Sequence, residues 1–319
     1  MSDTAGLRRQ IDSAGDLQSV VRTMKAMAAS SIGQYENAVR ALDDYYRTVQ
    51  LGLAACLRPG MAFDAAGDVA AGAAADVAAG AAAPGASQSK GAILALVFGS
   101  DQGLVGQFNY VMVEFTVAAL DKLTGEKTVW AIGERIGSRL GETALVQEKS
   151  GKSGKSFMLP NSIGAVTQLV GQILTELEAV REQGEIGQVF LFHNRPEAGA
   201  IHAPVVQRLL PLDDAWRRDL AGMAWPTNML PEVVNDKAQT LLAFVREYLF
   251  VSLFRACAES LASENASRLS AMQRAEKNID DLLENLNRNY SRLRQGRIDE
   301  ELFDVVSGFE ALTGQGGAA

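Results

Sequence analysis

Cysteine and histidine are scarce in this sequence. The only cysteines, Cys56 and Cys257, are too few for a disulfide scaffold and show no CxxC or Cys/His spacing for zinc. This usage favours a reducing compartment. The two histidines, His193 and His202, flank a predicted turn between two strands, and no cysteine or carboxylate cluster accompanies them. We therefore expect ordinary strand histidines and no metal site.

Long apolar runs and a net positive charge are also missing. The most apolar helical segment, "LLAFVREYLFVSLFRACA", is interrupted by Arg246, Glu247 and Arg255, which argues against a membrane span. The first residues, "MSDTAGLRRQ", lack the apolar core of a signal peptide. A net charge of −8 and only 7% aromatic residues argue against nucleic acid as a partner.

Nucleotide-binding and catalytic motifs are incomplete. "GKSGKS" at 151–156 ends as a phosphate-binding loop does, but Lys149 stands where that motif requires a glycine, so we expect a solvated loop. "GSDQGLVGQFN" follows a predicted strand without GxGxxG spacing, which disfavours dinucleotide binding. No Ser/His/Asp or Cys/His arrangement has local support. The sequence predicts neither a catalytic site nor a cofactor.

Proline is unevenly placed and divides the chain. None of the eight prolines precedes Pro59 or follows Pro231, and both proline-free ends carry apolar residues at helical spacing. Residues 68–75 read DVAAGAAA and repeat letter for letter at 76–83, which is typical of a mobile linker, with an Ala-rich helix as the alternative. We predict four segments: a coiled-coil helix at 1–59, an Ala/Gly-rich linker at 60–90, an α/β domain at 91–231 and a coiled-coil helix at 232–319.

The segment from 93 to about 211 alternates strand-like and helix-like patterns. "AILALVFGS", "TVWAIG" and "QVFLFHN" are continuous apolar runs bounded by turn residues, and "AVTQLVGQILTELEAVREQ" is helical. "VFLFHNRPEAGAIHAPVVQRLLPL" predicts two strands joined by a Pro/Gly turn. Together these patterns predict a Rossmann-like α/β domain with a largely parallel sheet.

The C-terminal helical pattern is too long for a compact domain. It runs from about 238 to 312, roughly 110 Å at about 1.5 Å per residue. Its apolar positions step by four and three in two series: Ile279, Leu283, Leu286, Tyr290 and Leu293, then Ile298, Leu302, Val305, Phe309 and Leu312. Such spacing requires a partner helix, and the N-terminal helix is the nearest candidate. The predicted fold is a long antiparallel coiled-coil hairpin of the two terminal helices with the α/β domain between them.

Acidic residues are missing from one stretch of each long helix. Residues 17–35 contain none and carry Arg22 and Lys25, and residues 285–298 contain none and carry four arginines. We expect the hairpin to place these stretches side by side, as a basic collar without internal counter-charges. Such a collar is either solvated with bulk counterions or bound by an external acidic partner.

Four motifs carry a family resemblance. "LASENASRLSAMQRAEKN" at 261–278 is similar to the pattern LASE-AR--AM--A--N and continues into "YSRLRQGRIDEELFDVVSG". "MKAMAASS" at 24–31 resembles MEMVAASK, and "GSDQGLVGQFN" resembles STDRGLCGG-N. The order and spacing of these motifs agree with the gamma subunit of F-type ATP synthases, the central rotor shaft. The resemblance covers nearly the whole chain except residues 62–90.

The resemblance implies a shaft seated in a ring of three alpha and three beta subunits. Its foot would rest on the rotating membrane c-ring with the epsilon subunit, which makes it a peripheral protein on the cytoplasmic side of the inner or plasma membrane. Nucleotide chemistry then belongs to the beta subunits, and this chain is not catalytic. Rotation would couple ion movement through the membrane ring to ATP synthesis or hydrolysis.

The resemblance also implies roles for particular residues. Contacts with beta-subunit loops fall on four of them: Arg22, Lys25, Arg294 and Gln295. The shaft tip inside the catalytic ring falls on four more: Leu302, Val305, Val306 and Phe309.

The chain departs from the family pattern at several positions. Ser31 stands for a usual Lys, Lys25 for a frequent Glu, Gly296 for a common Ala and Asp299 for a common Thr. These departures and the Ala/Gly insertion indicate a divergent branch, and one hypothesis is the sodium-motive type. Two other interpretations remain: a non-rotary coiled-coil tether that grips an acidic protein or an anionic lipid surface, and a small-molecule enzyme built on the α/β domain.

Overall fold

The computed structural model describes most of the chain outside the Ala/Gly-rich region. The described ranges are 2–57, 92–143, 154–182, 186–197, 199–212, 214–229 and 237–314. The predicted linker at 60–90 lies outside them. The helices are α1 (Ser2–Leu57), α2 (Phe108–Leu120), α3 (Glu134–Gly141), α4 (Ile163–Glu182), α5 (Asp214–Ala221) and α6 (Lys237–Gly314). The strands are β1 (Ala92–Phe98), β2 (Lys127–Ile132), β3 (Ser156–Phe157), β4 (Ile186–Glu197) and β5 (Ala200–Leu210).

The chain divides into two compact units. The terminal unit consists of Met1–Met27 and Leu269–Ala319, and the central unit consists of Ala28–Arg268. Helices α1 and α6 contribute to both units. The bounds of the four predicted segments, 1–59, 60–90, 91–231 and 232–319, stay a prediction.

The central unit contains a five-stranded sheet in the order β3-β2-β1-β4-β5. Strands β1 to β4 pair in parallel and β5 pairs antiparallel with β4. Strands alternate with helices along the chain, and this order suits a parallel sheet because each parallel pair of strands needs a crossover connection. The predicted largely parallel sheet and the predicted β4–β5 strand pair are confirmed.

Alternate residues of β1 enter two separate cores. Leu94, Leu96 and Phe98 pack with α4 and with the central-unit parts of α1 and α6. Ile93, Ala95 and Val97 face the other way and pack with α2 and α3. Both faces of β1 are covered by helices, and this is why its sequence is continuously apolar.

Within each unit, α1 and α6 run antiparallel. In the terminal unit Gln18 bonds to Asp280 while Thr4 bonds to Arg297. In the central unit Asp43 pairs with Arg255, whereas a Cβ at Gly52 would touch Phe244. In both units, residues further along α1 contact residues that lie earlier in α6, which means that the two helices run in opposite directions. The predicted antiparallel pairing of the two long helices is confirmed.

Gly99, directly after β1, is required by packing. A Cβ at this position would lie 2.2 Å from the Ile136 Cβ and 2.8 Å from the Asn109 Oδ1. We expect Gly99→Ala to lower the free energy of unfolding by about 1–3 kcal/mol, the usual cost of overpacking a core. Gly103→Ala is the matched control, because a Cβ there meets no atom within 4 Å. Equal denaturation midpoints for the two variants would contradict the packing argument.

Candidate functional site

The terminal unit presents an apolar surface at the end of α6. Helix α1 begins at Ser2, and within the described residues no side-chain hydrogen bond from α1 reaches beyond Arg297. Past that point Leu302 is 58% exposed and Val305 71% exposed. Apolar side chains exposed in this number along one helix mark an interaction surface.

We call this the tip surface, and it comprises Leu302, Phe303, Val305 and Val306, all exposed. Three of these residues were predicted from the resemblance. Phe303, which is 76% exposed, was missed because it lies outside the four-and-three seam. The side chain of Phe309, the remaining predicted tip residue, lies outside what the structure describes.

The two apolar series of α6 differ in their surroundings. Ile279, Leu283, Leu286 and Tyr290 are half-buried, as expected of a seam against a partner helix. From Leu293 to Val306 the residues of α6 are exposed. The expectation that the N-terminal helix serves both series is therefore wrong for the second one, because Ile298, Leu302 and Val305 are exposed.

The basic collar does not exist in the predicted form. Arg22 Nε lies 3.1 Å from one oxygen of Glu276, and Lys25 Nζ lies 2.5 Å from the other. The hydrogen bonds from Lys25 and Arg22 hold the pKa of Glu276 below its ordinary value. Arg22 and Lys25 thus have an internal counter-charge on α6. Glu276 lies before residues 285–298, the stretch that was predicted to face them.

The other half of the predicted collar is more open. Arg288 pairs with Glu284 on its own helix, with the two groups 2.5 Å apart. Arg294 and Gln295 are exposed, and among the described residues Arg294 takes part in no ion pair. This stretch lies opposite the first turns of α1, where Arg297 donates to Thr4 over 3.0 Å.

In the central unit the glycine-rich turn after β1 is closed by internal contacts. The Asp101 carboxylate accepts from the backbone N–H of Glu134, the first residue of α3, over 2.8 Å, and from that of Leu159 over 2.9 Å. A carboxylate at a helix N-terminus satisfies the amides that would otherwise bind an anion. A cleft of about 470 Å³ lies beside this turn, lined by Leu104, Arg135 and Arg139 among others.

The "GKS" part of the supposed phosphate loop has a structural role. A Cβ at Gly154 would lie 2.4 Å from the Val129 carbonyl oxygen. Lys155 forms an ion pair with Glu176, and its Nζ lies 5.3 Å from the centroid of the Trp130 ring. Ser156 belongs to β3. The expectation of a loop is therefore wrong at Ser156, which begins a strand, while residues 151–153 lie outside the described part.

His193 belongs to a buried polar cluster. Its Nε2 lies 2.8 Å from the Glu259 carboxylate, which also accepts from Arg195 over 2.9 Å and from Arg255 over 2.8 Å. Burial lowers the pKa of His193, so it is neutral and donates through Nε2. Burial also opposes the ionisation of Glu259, but its three hydrogen bonds outweigh burial and hold its pKa at about 2.

The contact between His193 and a carboxylate was not predicted, because Glu259 lies 66 positions further along the chain. His202 is separate: it contacts the Phe108 ring edge-on at 5.2 Å, and Val205, not His202, stands opposite His193. In the described part of the chain, no group of three or more His, Cys, Asp or Glu could hold a metal ion.

A second buried carboxylate, Glu264, lies one turn and a half further along α6. It is 5% exposed and pairs with Arg268 at 2.6 Å. Burial raises its pKa to about 7; Arg268 opposes this rise and Asp101 adds to it. Glu264 lies in the "LASENASRLSAM" motif and Asp101 in "GSDQGLVGQFN", so two motifs that are distant in sequence are electrostatically coupled.

This environment predicts a pH dependence of stability. Because the folded pKa of about 7 exceeds the ordinary 4.5, the folded chain retains a proton that the unfolded chain loses as pH rises between them. Relative to Glu264→Gln, we expect wild type to lose about 3 kcal/mol of stability between about pH 4.5 and pH 8. Denaturation midpoints across this range test the sign. The control is Glu284→Gln, an exposed carboxylate that also pairs with an arginine four residues away; parallel curves for wild type and Glu264→Gln would contradict the prediction.

The central α/β unit and the antiparallel pairing of the first and last helices define the class: a mixed α/β protein with a long helical hairpin. A sequence model described as ATP synthase matches residues 3–312, and the chain belongs to that family.

The relatives share the whole length of the chain. The ATP synthase gamma chain of Granulibacter bethesdensis is 29% identical over 320 residues, covering 98% of this chain and all of the relative. That of Parvibaculum lavamentivorans is 28% identical over 317 residues with the same coverage. The sequence-based prediction of a gamma-type rotor subunit is confirmed, and neither the tether nor the enzyme is supported. The sodium-motive hypothesis stays a prediction.

Solved structures agree on the fold. A chain of the Euglena gracilis mitochondrial ATP synthase rotor aligns over 92% of this chain and 98% of its own length, with a TM-score of 0.60 at 15% identity. A chain of the same enzyme's OSCP/F1/c-ring structure aligns over 99% of this chain with a TM-score of 0.61. Within the described residues, no helix is both long and apolar enough to cross a membrane.

Proposed function

We propose that this chain is the central shaft of an ATP synthase and turns inside a ring of three alpha and three beta subunits. The observation that carries the proposal is the tip surface, whose apolar side chains are exposed along α6 past Arg297. Nothing in the described part of the chain covers these side chains, and exposed apolar surface of this kind marks a contact with a partner. A sleeve of surrounding subunits supplies that partner without binding one face of the helix tightly.

The chain itself performs no nucleotide chemistry in this proposal. Support comes from the turn after β1, where the Asp101 carboxylate already satisfies an amide at the start of α3. The beta subunits hold the nucleotide, and rotation of an asymmetric shaft changes their affinities in sequence by offering each a different set of contacts. No metal or other cofactor is assigned to this chain.

The membrane end of the machine completes the proposal. The central unit contacts the epsilon subunit and the c-ring, and the chain is a peripheral protein on the cytoplasmic side of the inner or plasma membrane. The solved structures that share its fold are titled as rotor and F1/c-ring assemblies, which supports these partners. Ions moving through the c-ring would turn the shaft during ATP synthesis, and hydrolysis would turn it the other way.

Beta-subunit loops contact Arg294 and Gln295 in this proposal, together with Arg22 and Lys25. Arg294 and Gln295 are exposed, so they are free to meet an acidic loop. Arg22 and Lys25 already share Glu276, and their contribution to such a contact is smaller, because a charge with a nearby partner attracts a third group less.

The test is co-expression with the alpha and beta subunits encoded beside this chain. We expect native mass spectrometry to find one copy of the chain per three alpha/beta pairs. Replacing both Arg294 and Gln295 by alanine should reduce ATP turnover about tenfold, because a charged hydrogen bond contributes about 1.5–3 kcal/mol.

The matched control is the double variant Arg288→Ala and Asn289→Ala. It removes the same kinds of group, also exposed, from the same helix, and we expect it to retain wild-type turnover. If the chain purifies alone and hydrolysis by the alpha and beta subunits is unaffected by it, the rotor function fails and the tether becomes the leading interpretation.

A further inference from the structure

The polar cluster around Glu259 joins three elements of the central unit. Glu259 and Arg255 lie on α6, His193 and Arg195 lie on β4, and Arg255 continues to Asp43 on α1, with Nη1 3.2 Å from Oδ1. We call these five residues the ion-pair junction. Its centre is dry: the side chains of His193 and Glu259 are 2% and 4% exposed.

A second polar contact lies one helical turn away. Ser263 Oγ donates to the backbone carbonyl of Asn194 over 3.2 Å. Glu259 and Ser263 are four residues apart and therefore lie on one face of α6, about 5–6 Å from each other. On the strand their partners are three consecutive residues, His193 to Arg195. Helix α6 is thus attached to β4 at two points.

Stability alone does not explain this junction. An apolar core already packs α6 against the sheet through residues such as Leu253 and Val245. Buried ion pairs can often be replaced by apolar residues of similar volume without loss of stability, because the desolvation of the charges offsets their attraction. What such a network adds is a defined register between the elements that it joins.

A mechanical load on the shaft would disturb the register between α6 and the sheet. Apolar contacts are non-directional, so a helix can slide or roll on a sheet while most of its buried area is kept. Hydrogen bonds weaken steeply once their distance or angle departs from the optimum. Two attachment points on one helix face resist both sliding along the strand and rotation about the helix axis.

We propose that the ion-pair junction is where torque passes between the sheet and the paired helices α1 and α6 in the central unit. This inference rests on the proposed rotor function and names Glu259 and His193 as positioning residues for it. Glu259 holds the helix in register with β4, and Arg255 extends that hold to α1 through Asp43.

The experiment uses the assembled complex with the alpha/beta ring fixed to a surface. A probe is attached to a cysteine placed at Met158, which is 79% exposed in the central unit, while both native cysteines are buried. The test variant is His193→Leu with Glu259→Met, which replaces the buried polar centre by apolar side chains. Arg195 and Arg255 remain partly in water in this variant, and Arg255 keeps Asp43.

We expect the angular variance of the probe during catalytic pauses to rise about twofold or more, because directional contacts are replaced by non-directional ones. Turnover without load should stay at the wild-type value, and rotation against a viscous load should slow. A purely structural role would change assembly yield or stability and leave the angular variance unchanged.

The control is Tyr45→Phe, which removes a polar contact between α1 and Glu247 of α6 but none with the sheet. Its angular variance should match wild type. If the wild-type complex rotates and the test variant shows the same variance, the junction inference is overturned while the rotor function stands. If the wild-type chain does not assemble or rotate, the rotor function itself fails.

Discussion

Replacing Trp130 with alanine is expected to lower the free energy of unfolding by about 3–5 kcal/mol, the usual cost of truncating a buried tryptophan. Trp130 lies on β2, is 2% exposed and contacts the Phe157 ring, with ring centroids 5.7 Å apart. The loss combines the transfer of the indole to water with the cavity left between β2 and the helices of the larger core.

The measurement is guanidinium denaturation of the purified chain followed by far-ultraviolet circular dichroism, which does not depend on the removed indole. Met158→Ala is the control, because Met158 directly follows Phe157 but is exposed, and surface truncations usually change stability by less than about 0.5 kcal/mol. A loss below about 1 kcal/mol for Trp130→Ala would mean that the indole does not fill the core as described.

Replacing Glu259 with alanine is expected to cost about 3–5 kcal/mol, because it leaves His193 and part of Arg255 without a partner in a dry site. The more informative variant is Glu259→Gln, which keeps the volume and changes the pH dependence. The folded pKa of Glu259, about 2, is below its ordinary 4.5. Its ionisation therefore stabilises the fold above about pH 4.5, and this contribution is lost as pH falls through about 2.

Denaturation midpoints between about pH 6 and pH 2 measure this contribution. We expect wild type to lose about 3 kcal/mol more than Glu259→Gln over that range, in proportion to the pKa difference. The control is Glu276→Gln, whose carboxylate also pairs with two basic groups but whose partner Arg22 is largely exposed. If wild type and Glu259→Gln lose stability equally on acidification, the three hydrogen bonds do not hold the ionised form of Glu259.

Two errors of the sequence analysis have one cause. The prediction of a basic collar required residues 17–35 to lie beside residues 285–298, whereas Lys25 pairs with Glu276. Glu259 was not associated with His193, although the two side chains are 2.8 Å apart. Both errors concern which residues of two distant segments lie side by side: Lys25 and Glu276 are 251 positions apart, and His193 and Glu259 are 66 positions apart. Local charge patterns carry no information on such pairing.

The tip surface shows a similar limit. The seam from Ile298 onward has the spacing of a coiled coil, and spacing alone cannot say whether a partner helix is present. Only the structure shows that Leu302, Val305 and Val306 are exposed, beyond the hydrogen bond that Arg297 donates to Thr4 of α1. Phe303 was missed because the four-and-three spacing identifies apolar residues on one face of the helix only, whereas the exposed end of α6 carries apolar residues on more than one face.

The sequence by itself determined the elements of this protein and its family. Proline-free helical patterns predict α1 and α6, continuous apolar runs predict β1, β2 and β4, and four motifs in order predict the gamma-type subunit, because these are local properties of the chain. The tertiary structure alone decided which polar groups meet: Glu276 with Arg22 and Lys25, and Glu259 with His193. Those contacts depend on the register of helix on helix and of helix on sheet, which is set by packing across the whole core and not by any segment of it.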